Sequence, residues 1–344
     1  MRDVSERVLS ERELNRALLQ RQLLLERRRV GLPRAVELMG CVQSQYAPST
    51  YVGLWSRVEG LNRDAVTRAI ERRALVQATL MRNTIHIVSR RDYWPLVIAI
   101  REERRAWSRS VQKPDERRLR RAAARLERFL SGHPRRQREI EEAGLWLPGI
   151  GLWTWLVRVP PAGTWERRRA DLFGLAEEWV GPEPALSEVE ARMHLVRRYL
   201  AAFGPAPAAD VASWAGMRVA ALADALGGMA LRRFRDEQGR ELLDLPRAPL
   251  PAPETAAPVR FLPTWDATLL VHARRTGILD EQHRKRLFTS SNPQSERTFL
   301  VDGKVAGVWR YEDGRVRLEP FVRLERRTRA EVDEEAERLA AFHA

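Results

Sequence analysis

The sequence predicts an α+β fold in which tandem winged-helix modules are followed by a small C-terminal β-barrel or sheet. Three short amphipathic helices precede a stretch of two-residue alternation at 79–88, which is the element order of a winged helix. A similar order of helices and a hairpin returns before residue 245. Beyond a proline-rich stretch, short alternating segments are joined by Asp-Gly turns, which are typical of antiparallel strands.

These patterns divide the chain into five parts. They are a first winged-helix module (1–95), basic helices with a second winged-helix module (96–180), a third module (181–245), a proline-rich linker (246–258) and a β-barrel with a closing helix (259–344).

Helix starts are marked by capping residues. Ser10 and Ser187 each stand three residues before a glutamate, which is the capping-box spacing. Pro33 fits the first turn of a helix, and Asn62 is an N-cap residue. The predicted helices run over 11–29, from Pro33 to an end at Pro48, over 63–73, within 89–131, from Ser187 to Phe203, over 208–216 and 218–226, and over 328–343.

Strands are marked by alternation and by tight turns. Asp302-Gly303 and Asp313-Gly314 are two-residue hairpin turns, and 236–239 is a third turn. The predicted strands and hairpins are 79–88, a Trp-rich wing at 144–163, 230–245, 259–261, 268–272, 297–301, 304–311 and 315–324.

Composition bounds the class of protein. The 344 residues, of which 44% are apolar, exclude global disorder and supply an ordinary core. No apolar run reaches the roughly 18 residues of a membrane span, and the first 30 residues show no secretory signal. The single cysteine, Cys41, excludes a disulfide framework and is interpreted as a buried structural thiol. We expect a cytoplasmic, nucleoid-associated protein with no membrane partner.

Charge points to a polyanionic partner. The formal net charge is +14, and residues 101–138 hold fourteen basic and five acidic side chains. Such a field attracts nucleic acid. A solvated face on a basic protein is the alternative interpretation, and a membrane surface is disfavoured because the basic helices lack a strongly apolar opposite face.

Several chemistries have no support in the sequence. It contains no phosphate-binding glycine loop, no H-E-x-x-H and no G-x-S-x-G. The six histidines are scattered, so we expect no metal and no cofactor.

Gln43-Ser44-Gln45 stands out immediately before Tyr46 and Pro48. Residues at i and i+2 point to one side of an extended segment, and Pro48 favours extended backbone before it. The two amides therefore converge if the helix unwinds here. Two polar residues on a loop are the alternative explanation.

The chain resembles the AlkZ-like winged-helix DNA glycosylase family, also called the YcaQ family. The resemblance covers nearly the whole chain and rests on six motifs in order. They are Val42-Gln43-Ser44-Gln45 with Pro48, Gly53-Leu54-Trp55, Arg82-Asn83-Thr84-Ile85-His86, the segment from Arg158 to Trp165, the segment from Leu262 to Asp266, and the segment from Val301 to Arg310. The fold that this resemblance implies is three winged-helix modules and a β-barrel curved around duplex DNA.

The activity that the resemblance implies is excision of alkylated bases, including unhooking of some interstrand crosslinks. Gln43 and Gln45 match the catalytic motif of the Gln-x-Gln branch. Two positions depart from the family pattern: Ser44 replaces a small or aliphatic residue, and Asn83 replaces a common glycine. Both leave the substrate range open.

Two amides suffice chemically for a cationic lesion. An N7-alkylated purine is already a good leaving group, so the enzyme needs only to place a water and stabilise an oxocarbenium-like sugar. A glutamine carbonyl accepts a hydrogen bond from the water and does not titrate, so the proton that the water loses passes to solvent. We predict that Gln45 holds the water and Gln43 supports it, with the reverse assignment open. Uncharged lesions should be poor substrates, and no lysine lyase step is expected.

Other residues are candidates for support. Tyr46, His86 and Asp266 are predicted to line or support the lesion site. Alternatively, Tyr46 is an aromatic residue of the core, His86 is a hydrogen-bonded histidine in a strand, and Asp266 forms a structural ion pair with Arg310. The predicted DNA-binding residues are Arg82, Asn83, Arg274, Arg275 and Arg310.

The expected partner is double-stranded DNA carrying alkylated purines, bound by a monomer at an open cleft, because crosslinked bases are not extruded alone. A non-catalytic winged-helix DNA-binding protein or transcriptional regulator is the main alternative, and a basic interaction scaffold is the third.

Overall fold

The computed structural model describes residues 7–113, 115–270, 277–288 and 296–344, which form a mixed α+β protein. The helices are Glu11–Arg21 (α1), Leu32–Leu38 (α2), Ala47–Trp55 (α3), Arg63–Glu71 (α4), Arg90–Val111 (α5), Glu116–Leu130 (α6), Gln137–Glu142 (α7), Ala176–Val180 (α8), Glu188–Phe203 (α9), Ala208–Ala215 (α10), Ala223–Gly227 (α11), Ala267–Leu270 (α12), Glu281–Leu287 (α13) and Arg326–His343 (α14). None of the helices in these ranges is long and apolar enough to cross a membrane.

In the described ranges the strands form three sheets. They are Val8–Leu9 (β1), Val42–Gln43 (β2), Leu75–Thr79 (β3), Ile85–Ser89 (β4), Arg135–Arg136 (β5), Leu156–Arg158 (β6), Leu172–Leu175 (β7), Arg232–Asp236 (β8), Glu241–Asp244 (β9), Arg260–Leu262 (β10), Thr298–Val301 (β11), Lys304–Glu312 (β12) and Arg315–Pro320 (β13). The sheet orders are β1-β8-β9, β2-β4-β3-β6-β7-β5 and β10-β11-β12-β13. The α+β class and the C-terminal antiparallel sheet are as predicted.

The six-stranded sheet separates two apolar cores. Because side chains alternate along a strand, Val76 and Val88 face one core with α5, α9 and α10. Leu75 and Ile87 face the other, which includes α3 and the C-terminal sheet. Strand β2 lies at the edge of this sheet, so the segment that follows it is positioned by both cores.

The predicted helix starts at Ser10, Asn62 and Ser187 are confirmed by their capping hydrogen bonds. Ser10 and Ser187 both form complete capping boxes at the starts of α1 and α9. Asn62 caps α4 by accepting from the backbone N–H of Ala65 at 2.9 Å. Asp302 and Asp313 both have positive φ before a glycine, as the predicted hairpin turns require.

Three predicted elements are wrong. Helix α1 ends at Arg21 rather than 29, because Leu23 adopts a left-handed φ of 58° and Leu24 is buried without a helix. Pro48 begins α3 in its first turn rather than ending a helix. Residues 267–270 are helical rather than the start of a strand at 268–272, of which the last two residues lie outside the described ranges.

Candidate active site

Gln43 lies in the short edge strand β2, and Gln45 lies at the bend that follows it. Gln43 pairs with His86 of β4, and the Ser44 N–H donates to the Ile85 carbonyl at 2.7 Å, which extends the pairing by one residue. Ser44 is buried between the two glutamines. The side-chain carbonyls of both glutamines accept hydrogen bonds from the same segment, Arg82 to Ile85, which brings the two amides to one end of the β3–β4 hairpin.

Both glutamine carbonyls accept one hydrogen bond from the protein. The guanidinium of Arg82 donates from Nη2 to Gln43 Oε1 at 3.2 Å. The backbone N–H of Ile85 donates to Gln45 Oε1 at 3.2 Å. Each carbonyl has a second lone pair for another donor. Gln43 is half-buried and Gln45 is exposed, so Gln45 is the more accessible of the two.

Ser44 is compatible with the buried middle position of the motif. Its Oγ accepts from Thr50 Oγ1 at 3.0 Å and from Gln77 Nε2 at 2.9 Å. A buried hydroxyl costs stability only when it is unpaired. The serine is therefore accommodated by two partners that an aliphatic residue would not need.

Arg82 points into the protein. It lies in the turn between β3 and β4, where Arg82 and Asn83 have φ values of 52° and 58°. Its guanidinium also donates to the backbone carbonyl of Trp214 in α10. Asn83 is exposed and accepts from Arg104 Nε at 2.8 Å. Phosphate binding by Arg82 stays a prediction; in the structure its guanidinium donates to Gln43 and to α10.

His86 is a neutral, buried neighbour of Gln43. Burial, with the nearby positive charge of Arg82, lowers the pKa of His86 to about 3. Its Nδ1 lies 3.0 Å from the Thr84 carbonyl oxygen, which accepts from the neutral imidazole. A direct role as a proton donor at neutral pH is therefore disfavoured.

Asp266 forms a buried ion pair with Arg57, a residue that the sequence patterns did not single out. Arg57 Nη2 donates to Asp266 Oδ1 at 3.0 Å, and the other guanidinium nitrogens donate to the carbonyls of Gln22 and Gly53. Thr268 donates to the same Oδ1 from its backbone N–H and from Oγ1. Among the described residues, these bonds to Asp266 all fall on one carboxylate oxygen.

A small cavity connects Gln43 and Asp266. It has a volume of about 10 Å³ and is also lined by Cys41, Ser49 and Arg57. That volume is close to the size of one water site and is far too small for a base. Burial raises the pKa of the Cys41 thiol to about 12, so this neighbour is not a thiolate nucleophile.

Tyr46 lines a second, larger cavity of about 260 Å³. It is half-buried, and its hydroxyl accepts from Arg168 Nη1 at 3.0 Å. Aromatic side chains from the loop after β6, from β12 and from α14 form the other walls. Tyr46, the residue after Gln45, therefore lines a cavity that Gln43 does not line.

The remaining predicted residues are dispersed. Arg310 is exposed on β12 and, in the described part of the chain, is not the partner of Asp266. Arg274 and Arg275 lie outside the described residues. The described ranges hold no group of three or more His, Cys, Asp or Glu side chains that could bind a metal.

Several residues near the site were not among the candidates from the sequence, because their contacts are with distant parts of the chain. Arg57 and Ser49 lie near the Gly53-Leu54-Trp55 motif, and Trp165 closes the motif that begins at Arg158. Membership of a motif is the signal for Trp165, and for Arg57 and Ser49 it is only closeness to one. Nothing in the sequence linked Trp214 to Arg82, which lies 132 residues away along the chain.

Comparisons with known proteins agree with this architecture. The family model described as DNA glycosylase AlkZ-like matches residues 36–342. The solved structure of Streptomyces sahachiroi DNA glycosylase AlkZ superimposes with a TM-score of 0.83 at 20% sequence identity, covering 98% of each chain. No curated protein matches.

Proposed function

The chain belongs to the AlkZ-like DNA glycosylase family and is a DNA N-glycosylase, and we propose that it hydrolyses the N-glycosidic bond of cationic N7-alkylated purines, with Gln43 and Gln45 as the catalytic pair. Family membership decides against a non-catalytic regulator or a basic scaffold. The observation that carries the proposal is that both amide carbonyls meet the same segment, Arg82 to Ile85, with Gln45 exposed.

The chemistry of the substrate fits a pair of side chains that do not titrate. The positive charge on an N7-alkylated purine makes the base a good leaving group without a general acid. The enzyme then needs to orient a water toward the anomeric carbon and to offset the positive charge that develops on the sugar. Two amide carbonyl dipoles can do both.

We assign the nucleophilic water to Gln45 and the supporting role to Gln43. Gln45 is exposed, and its carbonyl has one lone pair beyond the bond from Ile85. Gln43 is held by Arg82, so its amide orientation is fixed. Asp266 lines the small cavity with Gln43, which supports a role in holding a second water there.

The site also supports limits on the substrate. Within the described ranges, no carboxylic acid or imidazolium is placed to protonate a neutral base, so uracil and 8-oxoguanine are expected to be poor substrates. None of the three lysines lines either cavity, which supports a monofunctional enzyme without a lyase step. The exposure of Gln45 and the small size of the cavity at Gln43 support action on bulky or crosslinked adducts at an open cleft.

The proposed partner is double-stranded DNA carrying alkylated purines, bound by a monomer on the nucleoid. The net charge of +14 supports binding to the phosphate backbone. Light scattering of the free protein and of its complex with a short duplex tests the stoichiometry.

The direct test is base release from a duplex containing N7-methylguanine. Mild alkali converts each abasic product into a strand break, so breaks report excision. We expect wild type to produce breaks and Gln43→Ala/Gln45→Ala to produce none. A uracil-containing duplex is the uncharged control and should remain intact.

Equal cleavage by wild type and the double variant would refute the assignment of the two glutamines. No cleavage by wild type, on N7-methylguanine or on a bulky N7 adduct, would refute the proposed substrate class. Circular dichroism of the double variant checks that it is folded.

A further inference from the structure

The cavity beside Tyr46 has the features of a separate binding site. We call it the Tyr46 cavity; its walls include Tyr46, Ser49, Trp165, Trp309, Tyr311 and His343. It lies where α3, the loop between β6 and β7, β12 and the end of α14 meet. Ser49 and Pro263 also line the small cavity of Gln43 and Asp266, so the two spaces share a wall.

The walls suit a planar ring. The rings of Tyr311 and His343 are stacked with centroids 4.4 Å apart, and Trp165 meets His343 edge-on at 5.3 Å. Trp165 and Trp309 are buried and held by surrounding residues, so their faces are fixed. A volume of about 260 Å³ accommodates one ring system and is below the range of most drug-sized pockets.

The charge around the Tyr46 cavity is positive. Among the described residues, no acidic side chain lines it, whereas Arg168 and Arg297 do. Burial lowers the pKa of His343, and the positive charges of Arg297, Arg63 and Arg168 lower it further, so the imidazole is neutral. This environment disfavours a cationic alkylpurine and favours a neutral ring attached to an anionic group.

Among the described residues that line the Tyr46 cavity, one has a buried polar atom without a partner. Ser49 Oγ is buried and has no hydrogen-bond partner among the described residues. Ser49 is only 3% exposed and lines both cavities. An unpaired buried hydroxyl is costly, so a site that binds a group with its own donor or acceptor explains it.

We propose that the Tyr46 cavity binds a neutral nucleobase with its phosphate, supplied by a nucleotide that unstacks from the bound DNA next to the lesion. The base stacks on the Tyr46 and Tyr311 rings, a rotation of the Ser49 side chain brings Oγ to the polar edge of the base, and Arg168 and Arg297 hold the phosphate. The inference rests on the proposed function, because it places DNA at Gln45. The alkylated base itself stays outside this cavity.

Photo-crosslinking tests the proposal without any chemistry at the lesion. The full chain is bound to a duplex that carries a tetrahydrofuran abasic analogue, with 5-iodouracil at one neighbouring position at a time on either strand. Iodouracil crosslinks to aromatic side chains that it contacts, and mass spectrometry locates them. We expect one position to crosslink to Tyr46, Trp165 or Tyr311. Crosslinks that map elsewhere at every position would overturn the proposal.

Variants, together with a free nucleotide, distinguish a nucleotide of the DNA strand from a free nucleotide as the ligand. Tyr311→Ala and Arg168→Gln should each weaken binding of this duplex by about tenfold. Arg327→Gln on α14, an exposed arginine outside the cavity, should bind as wild type does. Binding of free dGMP by titration calorimetry, weakened by Arg168→Gln, would assign the site to free nucleotides instead of strand nucleotides and would refute the DNA source.

Excision of N7-methylguanine by wild type is measured in parallel. Excision without any crosslink in the Tyr46 cavity refutes this inference and leaves the proposed function standing. A crosslink in the cavity without excision refutes the proposed lesion and leaves the nucleotide site standing.

Discussion

Arg82 is a basic side chain that the fold turns inward. Its guanidinium joins Gln43 on the edge strand to the Trp214 carbonyl of α10, so a residue of the proposed catalytic pair is held by a helix from the third predicted module. The left-handed backbone at Arg82 and Asn83 makes this reach possible, because it reverses the chain between β3 and β4. The strained turn is therefore part of the support of the site.

We expect Arg82→Ala to lower kcat for N7-methylguanine excision by roughly ten- to hundredfold with little change in KM, because Gln43 loses its fixed orientation. Arg82→Lys should recover part of the loss, since it retains a donor but cannot bond both acceptors. Arg91→Ala, at an exposed position in the first turn of α5, is the control. A uniform rise in KM instead would indicate that Arg82 binds DNA phosphate.

His86 makes folding sensitive to acid. Its pKa is about 3 in the folded protein and about 6.5 in the unfolded chain, so the unfolded state binds the extra proton between these values. Its contribution to stability is complete above about pH 6.5 and is lost as the pH falls towards 3.

Between pH 7 and about pH 4.5, we expect the free energy of unfolding to fall less for His86→Gln than for wild type. The difference between the two proteins should grow by up to about 1.4 kcal/mol per pH unit, which is the limit for one titrating group. Urea unfolding at the two pH values measures the difference. His133→Gln, at an exposed histidine, should follow wild type. Identical pH dependence in all three proteins would contradict the buried, neutral assignment of His86.

At the scale of elements, the sequence predicts the helix starts and turns that depend on residues close together in the chain. Capping boxes and Asp-Gly turns involve residues within four positions, and these starts and turns are correct. The end of α1 and the start of α3 depend on burial against distant strands, and both predictions were wrong. For the site, Gln43 and Gln45 came from resemblance, while Arg57 and Ser49 needed the assembled fold, because their partners and cavities are formed by distant segments.

Helix α6 presents a row of arginines to solvent. Leu119, Ala123, Leu126 and Leu130 are buried along one side, as the predicted stripe requires. The exposed arginines are Arg117, Arg118, Arg120, Arg121, Arg125 and Arg128. Of these, within the described chain, only Arg120 forms an ion pair, with Glu116 at 3.8 Å. The others keep their charge available for phosphate.

We expect replacement of Arg117, Arg121, Arg125 and Arg128 by glutamine to weaken binding to undamaged duplex. Its salt dependence should flatten by about 0.9 in slope for each DNA phosphate that the variant no longer neutralises. Titrations at several salt concentrations measure both. The matched control replaces three exposed arginines of α14, which pair with acidic neighbours four residues away: Arg327, Arg329 and Arg338. An unchanged slope in the α6 variant would exclude this helix from the DNA-binding face.

At the scale of the whole molecule, the Arg57–Asp266 pair connects the N-terminal helices to the C-terminal part of the chain. Both side chains are almost completely buried, with exposures of 0% and 4%. A buried pair of this kind is costly to break, because the remaining charge has no partner.

We expect Asp266→Ala to lower the free energy of unfolding by about 3–5 kcal/mol. Arg57→Met/Asp266→Leu should recover most of that stability, because no lone charge is left. Urea unfolding measures stability, and excision of N7-methylguanine measures function. If Asp266 holds a water for catalysis, the double variant stays inactive although it is stable, whereas restored activity would limit Asp266 to a structural role.

The same pair has a consequence for synthesis on the ribosome. Arg57 and Asp266 are 209 residues apart in the chain. At about 5–20 residues per second, the carboxylate is made roughly 10–40 s after the guanidinium. Helix α6 is complete long before then, so a nascent chain carries its arginine row before its site is finished. Under the proposed assignment of the site, an unfinished chain carries its arginine row well before it has every residue needed to remove a base.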